Sequence, residues 1–154
     1  MVVLLHINKH TMKNYIINII TLAIPINFIW EMVQMPLYKN MPWNLDTALF
    51  CFVASIGDAV MILLIFFAVA LLIKDKEWLQ NLNIRNVFLT LFVGFIIAVL
   101  VEQYALNNDM WSYNKIMPRI PFWNIGIVPV LQMLILPLII FVITKNKNIP
   151  RRIK

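Results

Sequence analysis

Charge is what this sequence has least of. Only 13% of its 154 residues are Asp, Glu, Lys or Arg, against about 25% in a soluble domain. Hydrophobic residues make up 62% of the chain and the mean hydropathy is +0.82, where a soluble domain holds about 45–50% apolar residues. One soluble core of this size cannot hide so much apolar side chain, so the composition calls for lipid as the solvent. Cysteine is nearly missing. Cys51 stands alone in an apolar run, which excludes a disulfide framework and a Cys-based zinc site. Histidine is confined to His6 and His10; none falls inside an expected span, which argues against haem, di-iron and zinc chemistry inside a membrane. The i, i+4 spacing of that pair suits a metal if the segment is helical, or belongs to a solvated tail. GxSxG, HExxH, CxxC and P-loop motifs are all missing, and no cofactor is expected.

Four long apolar runs are present, and they predict an all-α, polytopic membrane protein built as a four-transmembrane-helix bundle in a single domain, residues 1–154. The expected spans are residues 15–38, 47–73, 84–106 and 125–144. Residues 1–14 read as a tail, too short to cross and with no A-x-A-like cleavage site close behind; Met12 offers a second start point. Residues 145–154 read as a basic tail. Twenty-four residues at 1.5 Å each reach ~36 Å, enough for a ~30 Å hydrocarbon core with tilt. Pro25 falls inside the first span, and Pro36 with Pro42 closes it. Lys74 to Glu77 marks a water-facing turn, with Trp78 beside it as an interface anchor.

The net charge of +6 does not point to nucleic acid, because the cations sit between and beyond the apolar runs. Ten of the thirteen Lys and Arg residues fall in the N-terminal segment, the middle turn region and the C-terminal tail; Lys39, Lys115 and Arg119 fall in the other two loops. The positive-inside rule then puts both termini in the cytoplasm (N-in/C-in) of an inner, or plasma, membrane.

Against this background the acids stand out. A charged side chain at mid-helix costs about 2.5–3.5 kcal/mol on insertion scales. Glu31 interrupts the first span, Asp58 the second and Glu102 the third. Asn27, Glu31 and Gln34 share one helical stripe, as do Cys51, Ser55 and Asp58, since i, i+4 and i+7 lie within about 60° of each other. Thr90, Gly94, Ala98 and Glu102 form a four-apart stripe that permits close helix approach. Gln132 lies about two turns into the fourth span. The loop from Asn107 to Asn124 is too polar to span and too aromatic for a passive linker.

These placements predict a polar, partly hydrated cavity near the outer end, roofed by the third loop. Glu31, Asp58 and Glu102 are the candidate catalytic residues. Asn27, Trp30, Gln34, Ser55, Gln103, Trp111, Tyr113 and Gln132 are the candidate ligand-binding residues. Carboxyl groups within a few Å cannot all carry charge cheaply, so such a site can move a proton, hold a hard cation, or protonate an alkene or ether oxygen. The same acids and amides also serve as interhelical glue, and the Trp and Tyr set as an interfacial belt. Arg119 has two partners open to it, a lipid phosphate or Asp109. The leading expectation is a lipid- or isoprenoid-binding protein that uses carboxylate acid/base chemistry, with Glu31 and Asp58 exchanging the proton and Trp30 and Trp111 lining the apolar part. The rivals are a proton- or cation-coupled carrier subunit and an assembly partner in a membrane complex. Expected partners are membrane lipids, an apolar small molecule and a second copy in a homo-oligomer.

The pattern W-E-x-x-Q-x-P-L-Y at Trp30–Tyr38, with Gly57-Asp58, Glu102, Trp111-Ser112-Tyr113, Met117-Pro118 and the Gly126, Pro129, Gln132 run, resembles a group of small bacterial four-helix membrane proteins. That resemblance implies an integral inner-membrane protein and no particular activity. A weaker likeness is to emopamil-binding-type isomerases and carotenoid-modifying membrane enzymes, which also carry acids and tryptophans in a helical bundle. The intramembrane His of the emopamil type has no counterpart here.

Overall fold

A computed structural model describes the backbone of residues 2–148 and the side chains of residues 12–147. The side chains of His6 and His10, and the basic residues Arg151, Arg152 and Lys154, lie outside the described residues, so a histidine metal site falls outside them too. Four helices dominate: α1 Val2–Gln34, α2 Leu45–Ile73, α3 Ile84–Asn107 and α4 Ile127–Asn148. Short 3-10 turns, Met35–Leu37 and Trp78–Asn81, follow α1 and α2. A two-stranded antiparallel hairpin, β1 Arg119–Ile120 and β2 Ile125–Gly126, leads into α4.

Each helix contains a stretch long and apolar enough to cross a bilayer: Met12–Leu37, Leu45–Ile73, Ile84–Asn107 and Ile127–Lys147. The shortest has 21 residues, which at 1.5 Å per residue reaches about 31 Å. The protein is thus an all-α four-helix membrane bundle, as its composition demanded. Several boundaries differ from the sequence reading by a few residues, and two have a plain cause. The segment expected as a tail is continuous with the first span, because no Pro or Gly interrupts residues 2–24. The fourth helix begins at Ile127, since β2 takes Ile125 and Gly126.

Helix ends follow local chemistry. Asn44 caps α2 by accepting from the Thr47 N–H, and Asn83 caps α3 by accepting from the Asn86 N–H. Lys74 ends α2 in the left-handed region, φ 60°. Around the bundle α1 packs on α2 and α4, and α3 packs on α4 and α2, so the helices go round a square in chain order; α2 and α3 touch least among adjacent pairs. On α3 the stripe of Thr90, Gly94, Ala98 and Glu102 is buried. A Cβ on Gly94 would stand 2.5 Å from the Met133 carbonyl oxygen. Only glycine allows that approach of α3 to α4.

The half of the bundle near the α2–α3 turn is filled. Tyr15, Ile19, Ile62, Ile65, Phe66, Val69, Ile140 and Phe141 form its core. Trp78 belongs here and is not an interface anchor: it is fully buried. Its 3-10 turn folds back under the helices, so the ring stacks on Phe66 at 5.8 Å and meets Phe141 edge-on at 5.5 Å. Its indole N–H donates to the Phe66 carbonyl oxygen. Outward positions are apolar, among them Leu71, Ile84, Phe88 and Leu100, as a lipid-facing surface requires.

Candidate functional site

The other half holds the polar groups. Helical periodicity turns Asn27, Glu31 and Gln34 of α1 inward, Asn27 and Gln34 fully and Glu31 half-buried. The same logic buries Asp58 on α2, Glu102 on α3 and Gln132 on α4. Gln132 is the hub. Its Nε2 lies 3.0 Å from Asn27 Oδ1, 3.1 Å from Glu31 Oε1 and 2.8 Å from Asp58 Oδ2. Gln34 Nε2 donates to Glu31 Oε1 at 2.7 Å and to Gln132 Oε1 at 3.2 Å. The Glu31 and Asp58 carboxyls thus meet the same Gln132 amide nitrogen, and two carboxyls that close cannot both carry charge cheaply.

Glu102 stands apart from this pair. Its Oε2 accepts from the Tyr113 hydroxyl and, at 3.4 Å, from Trp111 Nε1. Both donors come from the loop between α3 and α4. The three acids therefore do not close on one point; among the described residues no group of three acids, His or Cys is placed to hold a metal ion. They share a cavity of about 210 Å³ instead. Glu31, Gln34 and Gln132 from the α1–α4 side make a polar wall, with Asp58 facing it. Phe50, Ala54, Gly57 and Met61 of α2 with Ala98 and Val101 of α3 make an apolar wall. Tyr38, Met41 and Trp111 form the end.

A clasp closes that end. Tyr38 and Tyr113 pair as an isolated antiparallel bridge. Lys39 N donates to Ser112 O and Asn114 N to Leu37 O, each at 2.8 Å. Tyr38 packs on Tyr113 and, edge-on, on Trp111. Burial first, and the nearby Glu102 carboxylate next, push both phenols above the usual tyrosine range. Both therefore keep their protons, and Tyr113 retains the O–H that Glu102 accepts. A phenol whose pKa is higher folded than unfolded supports the fold below pH ~10 and stops doing so as pH rises past it. In an alkaline absorbance titration Tyr38 and Tyr113 should ionise only as the fold is lost; their early ionisation would contradict the clasp.

Not every residue expected at the site lines it. Trp30 lies beside the polar wall, donating to Gln34 Oε1 at 3.2 Å, and does not line the cavity. Ser55 is buried but its hydroxyl donates to the Phe52 carbonyl oxygen of its own helix, the usual fate of an intrahelical serine. Gln103 turns the other way on α3 and donates to Trp123 O. Asn27 sits behind the wall, and Tyr113 holds Glu102 from outside it. Arg119 turns to Asn124 rather than Asp109: its Nη1 donates to Asn124 Oδ1 at 3.1 Å and its guanidinium lies 5.3 Å from the Tyr113 ring centre. Tyr38 and Gly57 were not expected at the site. Both stood in the sequence motifs, but only the 3-10 turn after α1 returns Tyr38 to the bundle.

Fold and cavity together define the class: a multi-pass α-helical membrane protein with one carboxyl-lined chamber near one end of a four-helix bundle. No protein-family model, curated protein or solved structure matches the chain.

Proposed function

We propose that the cavity binds a lipid- or isoprenoid-like molecule and that Glu31 and Asp58 exchange a proton with it. The observation that carries this reading is one chamber lined both by the Glu31, Asp58 and Glu102 carboxyls and by a broad set of apolar side chains. The polar wall also has more acceptor capacity than hydrogen to fill it. Gln34 and Gln132 bring two N–H groups each, while two carboxyls, Asn27 Oδ1 and Gln132 Oε1 all accept. With one of the two carboxyls protonated, the pair is suited to giving its proton to an alkene or ether oxygen and taking another back. Glu102, held by two aromatic donors, adds negative potential beside any cation formed, and the Trp111 ring favours one too. With the positive-inside orientation the chamber lies towards the non-cytoplasmic face of the inner membrane.

The carrier reading is less well served. A path across the bilayer has to pass the other half of the bundle, which Ile62, Ile65, Phe66 and Phe141 fill.

The test is extraction of protein purified in mild detergent, followed by mass spectrometry of what it retains. A chain-bearing apolar molecule should be recovered, and in D2O it should take up deuterium at carbon. Glu31→Gln keeps a hydrogen-bonding group of the same shape, so it should retain the molecule but slow deuterium uptake by about 10²–10⁴-fold. Recovery of detergent and bulk phospholipid alone would overturn the reading.

A further inference from the structure

We infer that the chamber is entered sideways from the bilayer, through the gap between α2 and α3 at Gly57, and that what enters is a single-chain lipid with a hydroxyl head. This rests on the ligand-binding reading above and specifies its route and its substrate class.

Three observations converge on the route. The axial end is shut by the Tyr38–Tyr113 bridge and the two backbone hydrogen bonds beside it. The opposite end is the packed apolar core. Between α2 and α3, by contrast, contact is sparse, and the cavity wall there includes exposed groups: Phe50 is 44% exposed and Gly57 is exposed as well. A Cβ built on Gly57 would meet nothing within 4 Å. This glycine is thus unlike Gly94, where a neighbouring backbone forbids any side chain. Alanine would be the better helix former at Gly57, and there is room for it. The gap therefore joins the chamber to the lipid-facing surface at the level of Asp58.

The size of the chamber agrees with a molecule that is only partly inside. Pockets that enclose a whole drug-sized ligand run to about 300–1,000 Å³, and this one has about 210 Å³. The head and first carbons fit, and the rest of the chain lies in the gap and the bilayer. Head chemistry follows from the lining. Among the described residues no Lys, Arg or His lines the cavity, so a phosphate or carboxylate head would meet acids with no counter-charge. The polar wall lacks hydrogens rather than acceptors. A hydroxyl supplies one, donating its O–H to Glu31 or Asp58 while the first carbons of the chain reach the apolar lining. A chamber of about 210 Å³ takes one chain, which disfavours two-chain lipids.

The test is photolabelling of the protein in nanodiscs with a diazirine-bearing hexadecanol. Label should appear on Met61 or Ala98, and unlabelled hexadecanol should compete where hexadecyl phosphate does not. Gly57→Leu should cut labelling about tenfold, because a side chain packed into the gap closes it and leaves the polar wall intact. Gly57→Ala should label like the parent, as should Ile29→Trp, an exposed position of α1 outside the cavity lining. Equal labelling of Gly57→Leu and parent overturns the lateral route. Equal competition by the phosphate overturns the hydroxyl class. Either failure leaves the retained molecule and its Glu31 dependence standing, so the broader reading is judged separately.

Discussion

Gln132→Leu should lower the unfolding free energy by about 3–4 kcal/mol in an SDS titration, with loss of whatever the chamber retains. The side chains are similar in size, so packing changes little. What goes is the amide that faces Asn27, Glu31 and Asp58 and accepts from Gln34. A buried polar group left without its partner costs about 1–3 kcal/mol. Interhelical hydrogen bonds in membranes average nearer 0.6 kcal/mol, because the unfolded chain also finds partners. Three acceptors at an intermediate cost give the stated range. A loss below about 1 kcal/mol would mean that Asn27 and Asp58 find other donors, and the polar wall would then not depend on its hub.

Trp78→Ala should cost about 3–5 kcal/mol, the range for removing a large aromatic from a packed core. The ring touches Phe66 and Phe141 and its N–H is bonded within the core. The comparison is Trp43→Ala, at an indole 69% exposed, which should stay within about 0.5 kcal/mol. Similar small effects at both positions would return Trp78 to the interface and leave the core near the α2–α3 turn without its largest member.

These two residues also mark what the sequence revealed. Gln132, Glu31 and Asp58 were legible as inward-facing because a polar group in an apolar helix has one cheap direction to point, and helical periodicity then groups it with its neighbours. The approach of α3 to α4 was legible for a similar reason, in the four-apart spacing of Thr90, Gly94, Ala98 and Glu102. Trp78 was misread because it follows Lys74 to Glu77, and linear adjacency to charge says nothing about a turn that doubles back. Ser55 and Gln103 failed for lack of a tertiary rule: a hydroxyl can be satisfied within its own helix, and the residue after Glu102 is rotated by a helical step away from the cavity. The donors to Glu102 depended on the path of a long loop and on its bridge to Tyr38, which no periodicity encodes. Gly57 was visible only as part of a motif. Its meaning came from the empty space around it, a property of two helices rather than of one.

The four-way bonding of Gln132 bears on how the chain is made. Its partners lie 74 to 105 positions earlier, so Glu31 and Asp58 emerge from the ribosome and enter the membrane long before the amide that joins them. Until the fourth helix inserts, Glu31 has Gln34 alone of these amide donors and Asp58 has neither. Completion of synthesis, more than insertion of any single span, is the event that makes this bundle comfortable in lipid, and a stalled chain lacking its last helix is a natural target for membrane quality-control proteases.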